Sequence, residues 1–159
     1  MDFEIDIKMN LSALYDYNMY YNYSRPVGLI GSVIGVFCLI FYAHYGALYY
    51  LMFGLLILFY TPIELYVRSL KQFKLNPVYK KSTHFLMNDD GVSVTIGEHS
   101  MTVEWDQMYK AASTNQSILL FTEKGSAWVF PKTELGERRY ELIEMISTHM
   151  PASKVRIKQ

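Results

Sequence analysis

The chain has 159 residues, with fifteen Lys and Arg against fifteen Asp and Glu, and a formal net charge of zero. That balance offers no bulk positive charge to suggest nucleic-acid binding, and no nucleic-acid partner is expected. The single cysteine, Cys38, excludes an intramolecular disulfide and a cysteine-built zinc site. Charge is instead segregated: no Asp, Glu, Lys or Arg occurs between Arg25 and Glu64.

At the start of the chain, Phe3-Glu4-Ile5-Asp6-Ile7-Lys8-Met9 alternates apolar and charged residues. This is the period-two pattern of a half-buried strand. Asn10 or Ser12 is placed to cap a helix. Leu11, Leu14, Tyr15, Asn18, Met19 and Asn22 then recur at helical spacing, with Tyr17, Tyr20, Tyr21 and Tyr23 between them. The pattern predicts an aromatic amphipathic helix that lies on a membrane surface or packs on the polar part of the chain. A cleaved secretory signal is not expected. About 25 mostly polar residues precede the apolar run, which far exceeds the 7–15 residues of a signal core.

A bilayer core about 30 Å thick takes about 20 apolar residues per helical span. The uncharged run is about twice that length and predicts two spans. They are placed at about Pro26–Ala43 and Ala47–Leu65, joined by a turn at His44-Tyr45-Gly46. Pro26 suits a helix start, where its missing N–H costs nothing. Gly28, Gly31, Ser32 and Gly35 recur at helical spacing, and Gly31 and Gly35 form a small-xxx-small pair. Ala47 and Gly54 offer a small face on the second span. Gly28, Gly31, Gly35 and Gly54 are therefore candidate helix-packing residues, within the hairpin or between copies. Cys38 reads as a small packing residue. Pro62 is expected to kink or end the second span, and Glu64 to sit at headgroup level.

Arg68, Lys71, Lys74, Lys80 and Lys81 follow, while the turn between the spans carries no Lys or Arg. The positive-inside rule then places both termini in the cytoplasm of a two-span cell-membrane protein. The same five residues are candidates for contact with anionic lipid headgroups, each worth roughly 1 kcal/mol near the surface.

From Ser82 the pattern is of short strands. Thr83–Met87 runs into the turn Asn88-Asp89-Asp90-Gly91, and Val92–Ile96 into Gly97-Glu98. Ser100–Trp105, a weaker Met108–Thr114, Ser117–Thr122 and Ala127–Phe130 follow, and Pro131 stops the last. Thr133 is expected to cap a helix over Glu134–Met150, with Leu135, Tyr140, Leu142, Ile143 and Ile146 as its apolar face. The basic tail Ala152–Gln159 is expected to be loose. Six strands and a helix would be completed to a pleckstrin-homology-like sandwich by a seventh strand from Phe3–Lys8.

The fold class expected is thus an α+β membrane protein, with a helical hairpin and a PH-like antiparallel sandwich closed by an amphipathic helix. Its expected parts are 1–25 (strand and helix), 26–66 (hairpin), 67–81 (basic linker), 82–151 (cytoplasmic domain) and 152–159 (tail).

This order of elements, with Val103-Glu104-Trp105-Asp106 and Val129-Phe130-Pro131-Lys132 ahead of a terminal helix, resembles the YcxB-like family of small bacterial membrane proteins. The resemblance covers nearly the whole chain through short motifs. It implies a bacterial inner-membrane location and a PH-like domain, and it implies no biochemical activity. Trp105 reads as a core anchor whose indole N–H needs a partner. Asp106 reads as a turn residue, Phe130 as core, Pro131 as a strand stop and Lys132 as facing solvent or the helix start. The five together are also candidates for a partner site.

The four histidines, His44, His84, His99 and His149, have no ligand spacing, and no nucleotide, hydrolase or metalloprotease motif occurs. No catalytic, cofactor or metal residue is assigned, and an enzyme is not expected. The function expected is binding of a protein partner or of anionic lipid at the membrane surface. The alternative is an accessory subunit, transporter-associated or immunity-type, that assembles through the Gly-rich hairpin face with another membrane protein or with itself.

Overall fold

The computed structural model describes residues 2–157, without the side chains of Val27 and Lys80. Met1 and, from the expected basic tail, Lys158 and Gln159 lie outside the described residues. The fold is α+β, with two long apolar helices and mainly antiparallel sheets. The chain divides into two units, one of residues Met1–Tyr17 with Phe73–Gln159 and one of Asn18–Gln72.

In the first unit, β1 (Phe3–Lys8) alternates strictly, burying Phe3, Ile5 and Ile7 and exposing Glu4, Asp6 and Lys8. It pairs antiparallel with β2 (Ser82–Met87), from Phe3 opposite Met87 to Lys8 opposite Ser82. β3 (Gly91–Ile96) and β4 (His99–Glu104) complete a sheet of order β1-β2-β3-β4. The β2–β3 turn is built by Asn88. Its side-chain oxygen accepts from the N–H groups of Asp90 (3.1 Å) and Gly91 (3.0 Å). Gly91 is required there, since a Cβ would stand 2.5 Å from the Val103 carbonyl oxygen.

The second sheet has β5 (Lys110–Ser113), β6 (Ser117–Glu123), β7 (Ser126–Pro131) and β8 (Val155–Arg156), in the order β7-β6-β5-β8. The tail expected to be loose therefore supplies a strand, parallel to β5, with Val155 opposite Ala111. Residues of both sheets share one core that includes Ile5, Phe85, Val92, Ile118, Leu120 and Phe130. The Phe85 and Phe130 rings meet across it at 4.6 Å.

β6 is buried on both faces. Ile118 and Leu120 face the core, while Leu119 and Phe121 face outward with Ala112 and Val129 and are also buried. α1 (Leu11–Tyr23) reaches that outer side. Tyr17 packs against Phe121 at 6.4 Å and donates to the Gly125 carbonyl at 3.0 Å. Asn10 caps the helix by accepting from the Ala13 N–H at 2.8 Å.

The terminal helix is broken. α4 (Lys132–Leu135) and α5 (Arg139–His149) are separated by a 3₁₀ turn at Gly136–Arg138. Gly136 has φ 55°, outside the helical region and open to glycine. Thr133 lies within the helix and does not cap it; Pro131 is the cap residue. The buried face also differs from the expected one, since at about 100° per residue Tyr140 lies roughly 200° round the helix from Leu142. Leu142, Met145 and Ile146 enter the core and Tyr140 is exposed, where the sequence pattern put Tyr140 inward.

In the other unit, α2 (Pro26–Tyr45) ends at Gly46, whose φ of 69° and N–H bond to the Tyr42 carbonyl (2.8 Å) close the helix. α3 (Leu48–Leu75) continues through Pro62. The expected linker, residues 67–81, is therefore helical as far as Leu75, and a 3₁₀ turn at Pro77–Lys80 follows. Both helices are long and apolar enough to cross a membrane, and only 6% of the qualifying residues of α2 and 11% of those of α3 are buried. A soluble core helix would bury most of them.

Of the four glycines, Gly35 and Gly54 face each other inside the hairpin. A Cβ on Gly35 would stand 2.7 Å from Leu58, and one on Gly54 would stand 3.2 Å from the Cys38 Cβ and 3.1 Å from the Gly35 carbonyl. Gly28 abuts the Asn22 carbonyl, and a Cβ on Gly31 would meet nothing within 4 Å. The four candidate packing glycines thus lie in different surroundings. Gly35→Leu should destabilise the detergent-solubilised hairpin by about 1–3 kcal/mol through overpacking, while Gly31→Leu leaves its thermal transition unchanged. Equal transitions for both variants would contradict this packing.

Candidate functional site

Two clefts on the strand-rich unit gather the motif residues and divide them. The first lies where β4 ends. Trp105 is buried, and its indole N–H donates to the Asn88 carbonyl at 2.8 Å. Its outer face stacks on the His149 ring at 5.1 Å, with the planes 18° apart. His149 Nε2 lies 3.2 Å from Asp89 Oδ1, and its Nδ1 lies 2.9 Å from the Met145 carbonyl oxygen. Lys154 donates to the carbonyls of Asp106 (3.3 Å) and Met108 (2.9 Å), which pins the tail to the 3₁₀ turn at Trp105–Gln107. Each of these contacts stabilises a chain junction, so the cleft is accounted for as structure. Asp106 is an exposed turn residue, as its sequence position suggests.

The second cleft lies between the β5–β6 turn, the exit of β7 and one face of α5. Ser113, Ile118, Lys132, Arg139, Tyr140 and Ser147 are among its lining residues, and it encloses about 540 Å³. Phe130 and Pro131 stop in the core, but Lys132 turns back across this groove. Its ammonium donates to the Thr114 carbonyl, and its backbone N–H donates to the Gln116 carbonyl at 2.8 Å. Thr114 is the pivot of the turn. Its hydroxyl donates to Asp16 of α1, and the Ser117 N–H reaches the same oxygen at 3.0 Å. On the facing helix, the Arg139 guanidinium lies 4.6 Å over the Tyr140 ring and donates to its hydroxyl at 2.6 Å.

This groove has a half-buried apolar floor in Ile143, an exposed aromatic in Tyr140 and two cations, opposed by the single acid Glu144. Aromatic and Arg side chains beside an apolar floor are the composition of protein-binding hot spots. Sequence reading singled out Lys132 alone. In the sequence pattern Arg139 falls on the helix surface and Tyr140 on its apolar face. The signal that could have found Tyr140 was helical spacing: at about 100° per residue it stands roughly 200° round the helix from Leu142, on the side away from the core.

The basic residues after the hairpin are placed one by one. Arg68 and Lys71 are exposed on α3, three residues apart, and Lys74 is exposed in its last turn. Lys81 is exposed where β2 begins, and the side chain of Lys80 lies outside the described residues. Among the described residues, no three His, Cys, Asp or Glu side chains gather as metal ligands.

No family model, curated protein or solved structure matches this chain.

The pivot gives a direct expectation. Thr114→Val removes the bonds to Asp16 and Ser117 and should cost about 1–2 kcal/mol, while Lys132→Met should cost about 1 kcal/mol. Denaturant titration of the solubilised chain measures both. A Thr114→Val midpoint equal to that of the unsubstituted chain would refute this role.

Proposed function

We propose that this chain is a bacterial inner-membrane protein of YcxB-like type. A two-span hairpin holds a PH-like recognition domain against the cytoplasmic face, and that domain works by binding a protein partner. The observation that carries the reading is the β1–β2 ladder. Phe3–Lys8 before the apolar helices and Ser82–Met87 after them pair residue for residue in one sheet. A hairpin that leaves and re-enters one folded domain is tethered at both ends, which suits a module held near a surface better than a flexible anchor does.

Several features support membrane insertion. α2 carries exposed Ile30, Phe37 and Phe41, and α3 carries exposed Met52, Leu56 and Phe59. Apolar surface on that scale marks membrane or protein contact. A 28-residue helix is about 42 Å long, more than a hydrocarbon core of about 30 Å. Its last turns, with Arg68, Lys71 and Lys74, would then stand at headgroup level on the basic side. Two four-stranded sheets around one core, with a C-terminal helix against it, support the PH-like assignment.

The partner surface proposed is the Lys132–Arg139–Tyr140 groove. Assembly through the glycine face is the weaker reading, because Gly35 and Gly54 are already occupied by each other. Affinity capture with the full-length protein in mild detergent tests the choice. Arg139→Glu with Tyr140→Ala should abolish recovery of a partner that the unsubstituted chain retains, with thermal stability shifted by less than about 0.5 kcal/mol, as for other surface changes. Retention of the same partner by the double variant would exclude this groove. Salt-sensitive capture of anionic vesicles, lost when Lys71, Lys74 and Lys81 become Gln, would instead favour lipid as the target.

A further inference from the structure

A third cavity, sharing no lining residue with the groove, opens at the other end of the sandwich. It encloses about 130 Å³. Its walls are Ile7, Phe85, Val94 and Ile96 from one sheet and Trp128 from the other, and Tyr79 of the 3₁₀ turn also lines it. The Phe85 and Trp128 rings meet edge to face at 6.0 Å. Apolar cavities of about 150 Å³ accept a benzene-sized group, so the space fits an apolar body of about six carbons.

The polar side chains of this lining can each donate a hydrogen bond. Tyr79, Thr83 and Trp128 are its lining residues that carry a side-chain O–H or N–H, and among the described residues none of these groups has a hydrogen-bond partner. Burial raises the Tyr79 phenol above its ordinary pKa, which keeps it protonated. No acidic side chain lines the cavity. At its rim, Ile96 leads into Gly97, where a Cβ would stand 3.6 Å from the Lys81 ammonium. Glu98 follows in the same turn and is exposed, which disfavours a multiply charged ligand and leaves a monoanion. A mostly apolar pocket with a few convergent donors is the usual form of a small-molecule site.

We propose that this pocket binds a small monocarboxylate, its apolar body of about six carbons between Phe85, Trp128 and Ile96 and its carboxylate facing Lys81. This site does not depend on the protein-partner reading.

Trp105 and Trp128 are the chain's two tryptophans, so Trp105→Phe leaves Trp128 as a single reporter in the full-length protein in detergent. Titration with 4-bromophenylacetate should quench Trp128 saturably, and calorimetry on the unsubstituted chain should give the same dissociation constant. Lys81→Gln, or replacement of the acid by 4-bromophenethyl alcohol, should weaken binding about tenfold, the effect of one charged hydrogen bond. Thr83→Phe, which fills the cavity, should abolish binding in a chain whose thermal transition shows that it is folded. Quenching that never saturates, equal affinity for acid and alcohol, or undiminished binding to folded Thr83→Phe would each show partition into the micelle and overturn the site. Absence of binding heat on the unsubstituted chain would overturn it even if the tryptophan variant failed to fold.

Discussion

The backbone ladder between β1 and β2 is the constraint on which the rest depends. β1 contributes Phe3, Ile5 and Ile7 to the core and is the outer strand of its sheet. Its six residues lie before the apolar helices, and every other strand lies after them. Removing that pairing would expose the inner side of β2 and leave three buried apolar side chains without a place. Each such side chain is worth about 1.5–3 kcal/mol of burial, a large fraction of the 5–15 kcal/mol by which domains are stable. The C-terminal segment holds the same end of the chain: Arg138 of the 3₁₀ turn lies 4.6 Å over the Phe3 ring, and Asn10, just after β1, donates to Thr133 of α4 at 3.4 Å.

A comparable tie operates within the helical unit. Asn18, in the second half of α1, donates to the Ser69 hydroxyl at 2.8 Å and to the Gln72 side-chain oxygen at 3.1 Å. Ser69 is fully buried and donates in turn to the Leu65 carbonyl at 2.7 Å. A buried hydroxyl that both gives and receives a bond is satisfied, and removing its partner leaves a desolvated group at a cost of about 1–3 kcal/mol. The same helix α1 carries Asp16, which holds the Thr114 turn in the other unit's own fold. One short helix therefore supplies polar contacts to both units, each through residues on its own side of the division.

Periodicity made much of this legible. Strict alternation revealed β1, the absence of charge revealed α2 and α3, and Asn88-Asp89-Asp90-Gly91 marked its hairpin. What stayed hidden depended on context. Pro62 did not end α3, since a helix tolerates proline where neighbouring groups compensate for the lost bond. Val155 and Arg156 look like tail, and only the exposed edge of β5, fixed far earlier in the chain, makes them a strand. Tyr140 is apolar enough to be counted with the core stripe, but at about 100° per residue it stands roughly 200° round the helix from Leu142 and faces outward. The groove of Lys132, Arg139 and Tyr140 was illegible because its two walls meet through tertiary packing that no local pattern encodes.

The interrupted sheet also sets an order of events during synthesis. Chains elongate at about 5–20 residues per second, so the roughly 70 residues between Lys8 and Ser82 take about 4–15 s to make. Throughout that interval Phe3, Ile5 and Ile7 have been made but their partner strand has not. This strand thus leaves the ribosome well before the strand it pairs with. The alternating acids and base on its other side, Glu4, Asp6 and Lys8, keep it soluble and discourage wrong pairing while it waits.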